Sequence, residues 1–292
     1  MWIIFFGQCN NGSKDLIHCK VPKWEKIIEH LLNYVTYLNQ ESDSWVTFVH
    51  GAGGSSSIWF KQLREFKKHF NILLLDLRGH GDSQPGLKDA FDDKYTFDYI
   101  TEDILEVLDY LKIQKSHFVG ISLGTVLIRN LAEKYPGRVE SMVLGGAIIR
   151  LDMRFRILMG FGGLFKSLVP YIWLYKLFTF AIMPDGNHKE SRLLFVREAK
   201  RMYQKEFVRW YKMGSQINRL LRFFRAGDIN IPTLYVMGGE DYLFLPSVKK
   251  MVQKQSQSSL LTIEHCGHVV NVEQPQLFNR FVIDFVADVD RG

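Results

Sequence analysis

Six short apolar runs, each closing in glycine or polar residues, set the rhythm of this chain. They are WVTFVHG (45–51), NILLLDLRGHG (71–81), HFVGIS (117–122), VESMVLGG (139–146), PTLYVMGGED (232–241) and LLTIEHCGH (260–268). Continuous apolar runs of this length suit strands buried on both faces, as in a parallel sheet covered by helices. Between them lie helical patterns. FDYITEDILEVLDYLKI (97–113) puts Ile100, Ile104, Val107, Leu108 and Leu111 on one stripe. SIWFKQLREFKKHF (57–70) and GTVLIRNLAEKYP (124–136) behave alike. QPQLFNRFVIDFVADV (274–289) carries Leu277, Phe278, Phe281, Val282 and Phe285, with Pro275 suited to a first turn. This alternation predicts right-handed βαβ crossovers and a mostly parallel, doubly wound α/β sheet. Upstream, EKIIEH (25–30) and YVTYLN (34–39) predict an antiparallel hairpin at one edge. MWIIFFGQ (1–8) reads as a short strand, since it lacks the basic flank and small-residue cleavage site of a targeting segment. No apolar stretch reaches the roughly 18 residues that span a bilayer, which predicts a soluble protein.

Residues 147–228 break the rhythm, with many aromatics, several helical patterns and no convincing strand. They predict a helical cap inserted over the carboxyl edge of the sheet, dividing an α/β core of 1–146 and 229–292. At 292 residues and 47% hydrophobic, the chain can bury a large core without disulfides or metals. Its three cysteines, Cys9, Cys19 and Cys266, form no CxxC pair. That spacing predicts neither a disulfide framework nor a zinc site, and points to a reducing, cytoplasmic setting. The formal charge of +6 is uneven: the insertion holds 16 Lys/Arg against 6 Asp/Glu, leaving the rest of the chain at −4.

The candidate chemistry starts at GISLGT (120–125), a G-x-S-x-G pattern between an apolar run and a helical pattern. That context suits a nucleophile elbow, in which Ser122 is forced toward an unfavourable backbone region while Gly120 and Gly124 leave room for close passage. The bland reading is a helix N-cap serine. Downstream partners favour the first. A serine hydroxyl needs a base to remove its proton, and an imidazole base needs an acid to fix its tautomer. Asp241 follows one predicted strand and His268 the next, in the order Ser, Asp, His. HGAGG (50–54) follows an early strand, where a loop amide can join that of Leu123 in an oxyanion hole.

HGAGGSSSIW, LLLDLRGHGDS, GISLGT, YPGRVESMVLGG, MGGEDYLFLP and CGHVVNVEQP together resemble, in order, the landmarks of the α/β-hydrolase superfamily. They are most similar to its capped esterases, enol-lactonases and C–C hydrolases, over roughly residues 25–146 and 229–290. The resemblance implies Ser122 as nucleophile, His268 as general base, Asp241 as its orienting acid, and Ala52 with Leu123 as oxyanion-hole amides, ahead of Gly53. Thr125 departs from a glycine common at that position in this branch, and implies adjusted packing of the helix on the sheet. His50, His80 and His265 rank behind His268, and Glu240 and Asp152 behind Asp241. Asp76 and Arg78 are expected to brace their loop. No cofactor, metal site or phosphate-cradling loop is expected.

These readings predict a serine hydrolase of esters or thioesters with apolar acyl groups, acting on small molecules and not on nucleic acid. The aromatic, basic stretch 154–184 suggests a lid whose apolar face lines an acyl pocket, or a segment lying on anionic membrane. Two alternatives keep the same residues: a C–C bond hydrolase or lyase, separable by product analysis on a vinylogous diketone, and a receptor with little or no turnover, separable by a fluorophosphonate probe.

Overall fold

The computed structural model describes residues 31–83, 95–165, 168–215 and 217–292. The predicted strand at 1–8, the predicted strand at 25–30, and Cys9 and Cys19 lie outside them. In chain order the elements are β1 (Tyr34–Tyr37), β2 (Trp45–Val49), α1 (Phe60–Phe66), β3 (Asn71–Leu75), α2 (Phe97–Tyr110), β4 (Ser116–Ile121), α3 (Leu123–Lys134) and β5 (Val139–Gly145). Then come α4 (Met153–Phe165), α5 (Tyr171–Ile182), α6 (Lys189–Ala199), α7 (Gln204–Ser215) and α8 (Ile217–Ala226). The chain closes with β6 (Thr233–Gly238), α9 (Leu245–Val252), β7 (Ser258–Ile263), α10 (Val270–Glu273) and α11 (Pro275–Arg291).

The strands form one sheet in the order β1-β3-β2-β4-β5-β6-β7, parallel except for β1, which runs antiparallel to β3. The doubly wound sheet is therefore present, and YVTYLN forms its edge by pairing with β3. Every residue of β3, β4 and β6 is buried. This is why their sequences read as unbroken apolar runs rather than alternating ones. Separate apolar clusters fill the two faces: one gathers Leu73, Phe118 and Leu127 with α2 and α3, the other Phe48, Trp59 and Phe278 with α1 and α11. Ile100, Ile104, Val107 and Leu108 of α2 are buried as the stripe requires, each worth about 1.5–3 kcal/mol of transfer free energy.

Two boundaries and one buried stripe differ from the sequence reading. The helix expected from Ser57 opens as a 3-10 turn, Ser56–Trp59, capped by the Ser55 hydroxyl. On α11 the buried stripe is Phe278, Val282 and Val286, while Leu277 and Phe281 sit on an exposed flank. A helix lying flat on a sheet buries a narrow i, i+4, i+8 line, so the wider apolar pattern leaves a shoulder in water. β7 ends at Ile263, placing His265 in a turn at φ 52.

Between β5 and β6 stand α4 to α8, with no strand among the described residues there. No helix of the described residues is long and apolar enough to cross a membrane.

Candidate active site

β4 delivers Ser122 at its carboxyl end, and α3 begins at the next residue. Ser122 has φ 55 and ψ −121, a strained conformation for a side chain larger than glycine. Its amide donates to the Gly145 carbonyl of neighbouring β5 at 2.9 Å. The glycines on either side permit the bend. A Cβ on Gly124 would come 2.3 Å from the Val49 carbonyl oxygen, and one on Gly120 would come 2.5 Å from the Ile128 side chain. Thr125, where the pattern departs from glycine, is buried and donates its hydroxyl to the Ser122 carbonyl at 2.6 Å. The same hydroxyl accepts the Ile148 amide at 3.3 Å, so this residue ties the elbow to the chain leaving β5.

Asp241 and His268 arrive from the ends of β6 and β7. Asp241 is fully buried; its Oδ1 accepts the Phe244 amide at 3.2 Å, and its Oδ2 lies 2.8 Å from His268 Nδ1. His268 is 3% exposed, and its ring centroid sits 5.1 Å from that of Phe244. His268 Nε2 lies 2.9 Å from Ser122 Oγ. An ionised carboxylate only accepts, so Nδ1 carries the proton and Nε2 is free to accept from the serine hydroxyl. The three residues, 146 positions apart at the extremes, meet in one hydrogen-bonded line.

The loop His50–Gly54 runs beside this line, since a Cβ on Gly51 would come 3.0 Å from Ser122 Cβ. The Gly53 amide donates to His80 Nε2 at 2.9 Å and is thereby committed. The Ala52 amide makes no hydrogen bond among the described residues. Leu123, first in α3, has no preceding helical turn to take its N–H. Ala52 and Leu123 both border the cavity above Ser122.

The rivals are engaged elsewhere. His50 Nε2 accepts the Leu77 amide at 2.9 Å. His265 has its side chain 91% exposed. Glu240 faces the turn between α5 and α6, with Oε2 2.7 Å from Asn187 Nδ2 and 2.9 Å from His188 Nε2. Asp152 caps α4 by accepting the Phe155 amide at 2.7 Å. Asp76 accepts from the Ser56 and Asp82 amides and from Asn33 Nδ2, and Arg78 donates to Asp103 at 2.8 Å, so both brace their loop as expected. The Cys266 thiol is buried, and burial followed by the charge of Glu273 pushes its ionisation far up.

A cavity of about 1100 Å³, counted with its open mouth, rises above Ser122 and His268. Phe155, Met159, Phe178, Ile182, Phe207 and Trp210, from α4, α5 and α7, supply much of its wall. No lysine, arginine, aspartate or glutamate among the described residues borders it. Sequence reasoning missed the contacts that seat these helices: Tyr175 donates its hydroxyl to the Ala52 carbonyl at 2.8 Å, Trp210 Nε1 donates to the Arg78 carbonyl at 3.0 Å, and Ser55 donates to Glu198 at 2.8 Å. Nothing local marks such residues, because each pairs with a partner more than 120 positions away.

Known proteins share this architecture. A putative carbamate hydrolase, RutD, of Acinetobacter baylyi is 25% identical over 267 residues, covering 87% of this chain and 98% of that protein. The 2-hydroxy-6-oxononadienedioate/2-hydroxy-6-oxononatrienedioate hydrolase of Comamonas testosteroni is 25% identical over 291 residues, covering 88% and 93%. The crystal structure of the enol-lactonase from Burkholderia xenovorans LB400 superposes with a TM-score of 0.74 at 20% identity, over 88% of this chain and 96% of that one. This last likeness is one of fold. Residues 44–275 match the family model described as the alpha/beta hydrolase fold, and the chain belongs to that family.

Proposed function

We propose that the protein is a serine hydrolase that cleaves carboxylic esters or thioesters with apolar acyl groups through an acyl-enzyme. The observation that carries this reading is the contact line from Ser122 through His268 to Asp241 at the foot of an apolar cavity. Ser122 Oγ attacks the acyl carbonyl while His268 Nε2 takes its proton, and Asp241 stabilises the resulting imidazolium. The negative charge that grows on the carbonyl oxygen meets the Ala52 and Leu123 amides, each donor worth about 3 kcal/mol in the transition state. His268 then protonates the leaving group and activates the water that releases the acid.

Residues 147–228 act as a cap whose inner face holds the acyl chain, and the absence of charge along the described cavity wall supports an uncharged, apolar group there. A dioate, which the Comamonas relative is named for, would bring a carboxylate into that wall without a cation to meet it. A cytoplasmic setting fits cysteines without disulfide spacing.

A second reading concerns the outer face of the same helices. Ile157, Phe161 and Leu164 of α4 and Trp173, Leu177 and Phe180 of α5 are each about half exposed or more. Apolar side chains on both helices beside a basic surplus support contact with an anionic membrane surface.

The test is a panel of p-nitrophenyl esters of increasing chain length. Wild type turns over medium chains faster than acetate, and Ser122→Ala loses kcat on the order of 10⁴–10⁶-fold. A fluorophosphonate probe labels wild type and not Ser122→Ala. Undiminished turnover by Ser122→Ala would falsify the mechanism, and a wild type that neither turns over esters nor takes the probe would leave a receptor.

A further inference from the structure

A second cluster of titratable groups lies beside the acid and the base, and hydrolysis does not use it. Asp185 and His188 come from the turn between α5 and α6, Glu240 immediately precedes Asp241, and Glu273 ends α10. One potential ligand atom from each of Asp185, His188 and Glu240 lies within 4.8 Å of the others. His188 Nε2 is 2.9 Å from Glu240 Oε2 and 3.6 Å from Glu273 Oε2. The imidazole is wholly buried and packs on Gly267, where a Cβ would come 2.7 Å from it.

The cluster is short of positive charge. The atoms His188 Nδ1, Asp185 Oδ2 and Glu273 Oε1 are buried without a hydrogen-bond partner, and the Tyr242 hydroxyl and Cys266 thiol, which neighbour the Asp185 and Glu273 side chains, are neutral donors that bring no positive charge. The Glu273 side chain is 9% exposed, and its other oxygen accepts the Gly267 amide at 2.6 Å. Asn187 donates to Glu240, while Arg192 spends the same nitrogen on the backbone carbonyls of Met183 and Asp185. His265 approaches Glu240 from the solvent side at 3.8 Å. Three carboxylates thus gather around one imidazole, and even a protonated ring would balance only one of them. Buried carboxylate oxygens without donors are costly, and such groups are found paired or bound to metal.

We propose that Asp185, His188 and Glu240, with Glu273 alongside, form a binding site for a divalent transition metal, zinc being the best match. One imidazole nitrogen with carboxylate oxygens is a donor set zinc accepts, whereas calcium and magnesium sites are built from oxygen alone. The metal takes the neutral ring, bound through one unprotonated nitrogen. Two of these residues belong to the turn between α5 and α6, one is the chain neighbour of Asp241, and Glu273 holds the amide of the residue before His268. Metal binding therefore clamps the insertion to the two loops that carry the acid and the base.

The experiment uses the whole chain, stripped with chelator and dialysed, then titrated calorimetrically with zinc chloride and separately with magnesium chloride. One zinc binds per chain, the thermal midpoint rises, and magnesium has no comparable effect. His188→Gln, Asp185→Asn and Glu240→Gln each weaken zinc binding at least tenfold with far-UV circular dichroism unchanged, while His69→Gln, at an exposed histidine elsewhere, binds as wild type. Should one variant fail to fold, the other two read the same site. A folded wild type that takes up no zinc, or uptake equal in every folded variant, overturns the proposal. The readout is binding, so it stands or falls apart from the hydrolytic reading.

Discussion

His50 and His80 support the loop beside Ser122 as neutral rings. Each accepts a backbone amide at Nε2, from Leu77 and Gly53 respectively, and donates from Nδ1 to a backbone carbonyl, of Gly51 and Arg78. Burial is the main cause that lowers both pKa values, and in His80, where the neighbouring His50 adds to it, the value falls to about 3 from 6.5. A protonated Nε2 cannot accept. Because the unfolded chain takes up these protons first, the stability is complete above about pH 6.5 and is lost as pH falls toward about 3. Thermal melts across that window should show a declining midpoint, and His80→Gln, whose amide oxygen can still accept the Gly53 N–H, should decline less steeply. An unchanged slope in the variant would assign the acid sensitivity to other groups. Ser122, Asp241 and His268 were legible as residue types in the right order, and the structure brings them into contact. The partners of His50 and His80 were not legible, since an amide 27 positions away leaves no trace in the sequence around either histidine.

Among elements, the turn from β4 to α3 is tightly constrained. Gly124 lies so close to β2 that a methyl group would meet the Val49 and His50 carbonyls at 2.3 and 2.7 Å, both of them backbone. Gly124→Ala should cost about 1–3 kcal/mol or more, because α3 must move off the sheet. On the proposed ester hydrolysis, it should also lower turnover by displacing the Leu123 amide. Gly160, inside α4, offers the contrast: a methyl group there would meet nothing within 4 Å beyond its own helix. Gly160→Ala should be neutral or stabilising by about 0.5–1 kcal/mol through backbone entropy. Urea denaturation of both variants checks the pair, and equal costs would contradict the packing argument. Strand identity was readable because burial on both faces imposes a composition. Strand ends were less so: EHCGH continues the polar close of β7 without a break in pattern, yet the chain turns at His265.

At the scale of the whole molecule, the inserted helices present two apolar surfaces. Phe155, Met159, Phe178 and Ile182 face the cavity, while Ile157, Phe161, Trp173 and Leu177 on the same two helices are exposed. Helix α5 has a single charge, Lys176, in twelve residues, so its composition is that of a segment covered on more than one side. Vesicles containing anionic lipid should co-sediment the protein, neutral vesicles should not, and high salt should release it. Phe161→Asp and Trp173→Asp should each weaken the association by roughly tenfold or more, as expected from losing one inserted aromatic. Equal binding to neutral and anionic vesicles, or none to either, would leave the outer face without a lipid role.

By itself the sequence determined the alternation of strands and helices, the strandless stretch between β5 and β6, and the three side chains of the contact line. These follow from burial on both sheet faces and from chemistry that needs particular residue types at strand ends. Tertiary structure alone decided the 2.9 Å approach of His268 to Ser122, the commitment of Gly53 to His80, and the meeting of Asp185, His188, Glu240 and Glu273. Such distances depend on how crossovers and inserted helices pack against one another, and no local pattern of residues encodes that packing.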